Sequence, residues 1–260
     1  MILTLSTLPR IFSPIIAAYL IDFFGGINAK GIRPLFYIQF VALIPLAMWV
    51  YRNIEETKKI SRSQISLGKD FFSIFKGEKG PTLFLIISSF DIFAFNLIMP
   101  FLTIYAVEIK GANSYIIGLM VAIHSIVTII FSTIIGRLSD KIGRKKILYL
   151  QFIPFAGWMI SYILAPSPFY LLIASIFHGF VTAATPSSWR AITLEIVPEE
   201  QRGRYYGTRI MVANLLSIPA PILGGLIWDK INPSLIFSVA IIFELVSMVL
   251  TIFILETLKK

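Results

Sequence analysis

Five ionisable side chains lie within sequence that offers them little water. Asp91, His124, His178 and Glu244 each fall well inside a long apolar run, and Arg10 lies near the start of another. An uncompensated charge at the centre of a bilayer costs at least about 2.5–3.5 kcal/mol on insertion scales, so each of these residues needs a partner or a task. Asp91 follows Pro81 by about ten residues, or ~15 Å along a helix, which brings it near mid-depth. Its carboxyl is suited to taking up and releasing a proton or to binding a cationic group. It is equally suited to a structural hydrogen bond with a neighbouring helix. The imidazoles of His124 and His178 can shuttle protons near neutral pH, or simply bridge helices. Arg10, ~12 Å into its run, either snorkels to the nearer surface or pairs with an internal acid. Asn96 and Pro100 are expected to interrupt their span and free backbone groups that could line a cavity.

These residues are positioned by eight apolar runs, over roughly 2–24, 33–51, 81–107, 115–136, 147–165, 168–189, 210–228 and 233–255. The 260-residue chain is 57% hydrophobic and 14% charged, with a mean hydropathy of +0.82. A soluble domain of this length would need more polar surface. The expected fold class is therefore an all-α membrane protein of about eight transmembrane helices, and the first partner is the lipid bilayer. Short alternating segments of the kind that build a membrane barrel are not visible. The net charge of +9 sits in the connections between spans, which is a topology signal and not a nucleic-acid footprint. The chain has no cysteine, which removes disulfides, thiolate metal sites and cysteine nucleophiles. No nucleophile–base pair, metal-ligand cluster or phosphate-binding glycine loop is evident, so neither an enzyme nor a cofactor is expected.

The densest polar stretch is Gly136-Arg-Leu-Ser-Asp140-Lys-Ile-Gly143-Arg144-Lys145-Lys146, between two spans. It reads as a short, tight loop at a membrane face, and the positive-inside rule makes that face cytoplasmic. With that choice most of the 23 Lys and Arg fall inside, and the outer face receives only Lys30, Arg33, Lys110 and Lys230. Both termini are then cytoplasmic, with the chain in the plasma membrane. Residues 52–80 form the one long connection. Their small apolar cluster, Phe71, Phe72, Ile74 and Phe75, suits either a surface-lying amphipathic helix or a disordered loop.

An internal repeat is also present. Pro14-Ile-Ile-Ala17-Ala18-Tyr-Leu-Ile-Asp22 matches Pro221-Ile-Leu-Gly224-Gly225-Leu-Ile-Trp-Asp229, and each copy leads through an outer turn with proline into another span. Parallel repeats of this kind are left by duplicated transporter halves.

Gly136, Asp140, Lys141, Gly143, Arg144 and Lys145 resemble the signature segment of the major facilitator superfamily: Gly, three residues, Asp, a basic residue, any residue, Gly, then two basic residues. Glu195 to Gly207 resembles the superfamily's loop before its fifth or eleventh helix. The resemblance covers essentially the whole chain and implies secondary transport of a small molecule by alternating access, with proton coupling and drug or metabolite efflux as the expected form. It aligns 1–51 with the fifth and sixth of twelve family helices, makes 52–80 the cytoplasmic linker, and makes 81–260 the six-helix C-terminal bundle. The first four helices would be absent, through a truncated gene, a misplaced start or a chain encoded in two pieces. A non-transporting fragment, or one subunit of a split carrier completed by a second chain, is the alternative. The resemblance also puts Asp91 and His178 on cavity-lining helices and Glu244 on a peripheral one. Asp140, paired with a helix N-terminus, with Arg144 or with the Arg204–Arg209 region, would form a gating latch on the cytoplasmic side.

Overall fold

The structure, a computed structural model, describes residues 9–53 and 79–257. The Phe71–Phe75 cluster of the long connection and the terminal Lys259 and Lys260 lie outside the described residues, and Arg10, Arg144 and Lys145 are placed by their backbone alone. The described chain is helical, as apolar segments must be where no water is available to the backbone. Its elements in order are α1 (Pro9–Phe23), α2 (Ala29–Asn53), α3 (Lys79–Ile104), α4 (Ser114–Ile142), α5 (Arg144–Leu150), α6 (Phe152–Leu164), α7 (Leu171–Thr185), α8 (Ala191–Ile196), α9 (Arg202–Ser217), α10 (Pro219–Lys230) and α11 (Leu235–Thr257). Seven stretches among the described residues are long and apolar enough to cross a membrane, and a shorter apolar helix, Ile11–Phe23, precedes them.

Local chemistry sets several boundaries. The Asn28 side chain accepts from the N–H groups of Lys30 (2.8 Å) and Gly31 (3.1 Å) and so starts α2. Asn113 does the same for α4 through the Ile116 N–H at 3.0 Å. Three boundaries differ from the sequence reading. First, α4 does not stop at Gly136 but runs on to Ile142, carrying Asp140 and Lys141 as helical residues. Arg137 and Lys141 are good helix formers outside hydrocarbon, and Asp140 and one glycine together cost the helix only about 1–2 kcal/mol. The turn is made by Gly143 alone, at φ +96°, a region that L side chains avoid. Second, Asn96 and Pro100 do not interrupt α3, which continues through both and closes with a π-helical turn over Tyr105–Ile109. Third, the span expected from 210 begins at Arg202. It breaks between Ser217 and Pro219, where proline opens α10.

The helices pack as a bundle in which α3 lies against α9, α10 and α11, α4 against α1 and α7, and α6 against α7 and α11. One core cluster centres on Tyr105, whose ring meets Phe237 edge-on at 4.8 Å and whose hydroxyl shares a hydrogen bond with Ser234 at 2.8 Å. A second gathers Phe84, Ile87, Leu148, Trp189, Ile192, Val197 and Tyr205 at the other end of α3. Both copies of the repeat sit at close helix crossings. Ala18 of α1 meets Gly118 of α4, while Gly224 of α10 lies against Leu97 and Phe101 of α3. Asp22 further ties α1 to α4 by accepting from the Ser114 hydroxyl. From Phe36 to Asn53 every residue of α2 is exposed.

Candidate functional site

The two intramembrane acids meet. Asp91 is the thirteenth residue of α3, ~18 Å along it, and Glu244 is ~19 Å from the opposite-running end of α11. The two therefore fall at one depth. Phe90 and Phe93 pack on Phe243 with ring centroids 6.1 and 4.6 Å apart, which locks the register of α3 on α11. The Glu244 and Asp91 carboxyls interact with each other across this seam. Glu244 is 3% exposed, and neither of its oxygens has an N–H or O–H donor among the described residues; Asp91 is half-buried. Two carboxyls in contact inside hydrocarbon repel as a pair of anions and attract when a single proton lies between them.

A cation completes the cluster. Arg209 of α9 is 8% exposed and interacts electrostatically with Asp91. Its guanidinium lies over three rings, 5.9 Å from Phe84, 5.7 Å from Trp189 and 5.4 Å from Tyr206, so cation–π attraction replaces part of its lost hydration. Beside it the Tyr205 hydroxyl donates to the Pro81 carbonyl at 2.8 Å, pinning the start of α9 to the start of α3. Sequence reasoning placed Arg209 in an aqueous loop because it started the span at 210. The signal was present: Arg202, Tyr205, Tyr206 and Arg209 recur at helical spacing, so the helix starts a turn or two earlier.

The histidines meet as well, in a separate cluster. His124 of α4 and His178 of α7 have ring centroids 4.2 Å apart, and His178 stacks on Trp158 of α6 at 3.8 Å and 6°. His124 Nε2 is 3.0 Å from the Thr182 hydroxyl. Gly179, next to His178, allows this approach: a Cβ there would lie 2.7 Å from Val127 of α4. Asn96 donates to the Ser217 hydroxyl at 2.7 Å, joining α3 to the break between α9 and α10.

In the signature segment, Asp140 is exposed on the last turn of α4 and makes no ion pair among the described residues. Gly143 N–H closes that turn on the Ser139 carbonyl at 3.0 Å. Arg10 lies on the first turn of α1, which packs on α4 and not on the acid pair. Among the described residues no group of three His, Cys, Asp or Glu is placed to hold a metal ion.

The described chain is thus a bundle of membrane-length helices with an acid and an arginine buried inside it and two histidines half-buried between helices. Residues 84–260 match the family model of the Major Facilitator Superfamily, and the chain belongs to that superfamily. It is 32% identical over 188 residues to the class H tetracycline resistance protein of Pasteurella multocida, covering 70% of this chain and 46% of that one. It is 29% identical over 173 residues to a multi-drug resistance efflux pump of Streptococcus pneumoniae, covering 60% and 40%. The chain thus spans about half the length of the curated relatives it matches. Among solved structures, a bacterial homologue of the human lysosomal transporter Spinster superposes with a TM-score of 0.52 at 16% identity, covering 96% of this chain and 66% of that one. That likeness is one of fold. The chain is an integral membrane protein of that superfamily.

Proposed function

We propose that this chain serves secondary active transport of a small molecule by alternating access, coupled to protons and directed to efflux of drug-like compounds or metabolites. The observation that carries this reading is the Asp91–Glu244 carboxyl pair beside Arg209, a site for one proton at mid-depth in a carrier fold. The tetracycline and multi-drug relatives support the efflux direction. His124, half-buried and backed by the His178–Trp158 stack, would present its imidazole to a substrate. The chain is a carrier and not an enzyme in this reading. It lies in the plasma membrane with both termini cytoplasmic; 1–51 and 81–260 belong to two bundles joined by 52–80, and Asp140 latches the cytoplasmic side when it closes. In a second reading another chain completes the carrier, and it would cover part of the apolar face that α2 leaves exposed over Phe36–Asn53, lipid covering the rest.

The test is transport by everted membrane vesicles energised with a pH gradient, using tetracycline and ethidium as probes. The first reading expects accumulation above that of empty vesicles and its loss with a protonophore. Equal accumulation in both vesicle types for both probes contradicts transport by this chain alone and leaves the second reading, which expects a second membrane chain to co-purify.

A further inference from the structure

The described residues contain a short set of buried side-chain polar atoms without a hydrogen-bond partner: Trp189 Nε1, Arg209 Nε, both carboxyl oxygens of Glu244, and Ser247 Oγ. They lie on segments that all pack against α3. Trp189 and Arg209 share the aromatic contact described above. Ser247 is one turn from Glu244 on α11, and Leu250, a further turn on, packs against the cluster that holds Trp189. Ser247 is anomalous in itself. Elsewhere the buried hydroxyls of Ser88, Ser125, Ser175 and Thr251 each turn back onto a carbonyl of their own helix at 2.8–3.2 Å. Ser247, fully buried, does not. The set is also chemically mixed. The indole and guanidine N–H groups only donate, the carboxyl oxygens accept, and the hydroxyl does both. One kind of small molecule serves such a set: water, which buried polar groups recruit when protein partners are missing.

We propose that Trp189, Arg209, Glu244 and Ser247 share an internal water site whose short hydrogen-bonded chain joins the Asp91–Glu244 pair to the arginine-bearing end of α9. The proposal rests on the proton-coupled reading of that pair. It adds a proton route inside the α3–α9–α11 group of helices, separate from the His124–His178–Trp158 stack. Depth fits this route: Glu244 is ~19 Å from the end of α11, Ser247 ~15 Å from it, and Arg209 ~10 Å from the start of α9. A proton leaving the carboxyl pair bonds to the nearest water oxygen as that water passes one of its own protons onward, so nothing is oxidised and no group is transferred. Among the described residues, the charged and titratable groups facing the site are Asp91, Glu244, Arg209, Tyr205 and Tyr206.

The chain's lack of cysteine makes the site directly testable. Ser247→Cys and Ser175→Cys would each be exposed to silver ion in reconstituted membranes and then alkylated with maleimide in denaturant. Silver reacts with a hydrated thiolate. Reaction of Cys at 247 about tenfold faster than at 175 is expected, and equal rates overturn the water site. Should Ser247→Cys fail to fold, X-ray hydroxyl-radical labelling of the unaltered chain decides. Bound water beside Trp189 should make it oxidise ahead of Trp158, which is also buried, and equal oxidation overturns the proposal. A dry site in a chain that still carries probe up a pH gradient sinks the water chain alone. A wet site in a chain that carries nothing sinks the carrier reading alone.

Discussion

Arg209 meets two demands with one side chain: it lies on three rings and faces an acid. Removing one member of a buried charge pair typically costs about 3–5 kcal/mol, because the other charge is left uncompensated. Arg209→Ala should therefore lower the thermal midpoint sharply, and Asp91→Asn should rescue much of that loss. Measured as a double-mutant cycle by thermal unfolding in detergent, the coupling should be about 1–3 kcal/mol. Strict additivity would show that Arg209 and Asp91 do not work together. Arg209→Lys should not substitute fully, since an ammonium lacks the planar face that three rings contact. Asp91 and Glu244 were legible in the sequence because a carboxylate inside an apolar run is conspicuous. Arg209 was not, because it stands next to an aqueous loop rich in other arginines, and only the register of the helix shows it turning inward.

At the scale of elements, the spans were legible because hydrocarbon imposes their length and composition, whereas their ends were set by interactions that apolar runs do not record. Asp140 and Lys141 look like loop residues in a polar stretch, yet a helix leaving the membrane keeps its own hydrogen bonds until Gly143 breaks them. Pro100 reads as an interruption, yet α3 absorbs it within a continuous helix. Close crossings, too, are matters of pairing between helices. Gly179 must be small because Val127 and the His124 carbonyl lie against it. Gly179→Val should destabilise by about 1–3 kcal/mol through overpacking, and Val127→Ala should restore part of the loss by yielding space. Chemical denaturation of the single and double variants checks this. A neutral Gly179→Val would mean that α4 and α7 are less tightly apposed than the structure has them.

For the whole molecule, composition and the Gly136–Lys145 motif pointed to a carrier fold, and the helical bundle and the family match agree. The grouping of the candidate residues into two separate clusters was not legible, since it depends on which of many apolar faces meet. The acids and arginine converge where α3, α9 and α11 pack, and the histidines where α4, α6 and α7 pack. In the proposed reading the proton binds at the first cluster and the substrate at the second. The most direct measurement is of substrate-driven proton movement: the chain, with any partner it needs, reconstituted around a pH-sensitive dye and challenged with transported probe. The wild type should change lumenal pH as probe moves, while Asp91→Asn should still exchange labelled for unlabelled probe and leave the pH unchanged. Equal proton movement in the Asp91→Asn protein would contradict the account, because the proton would then travel by a route that does not use the buried acid pair.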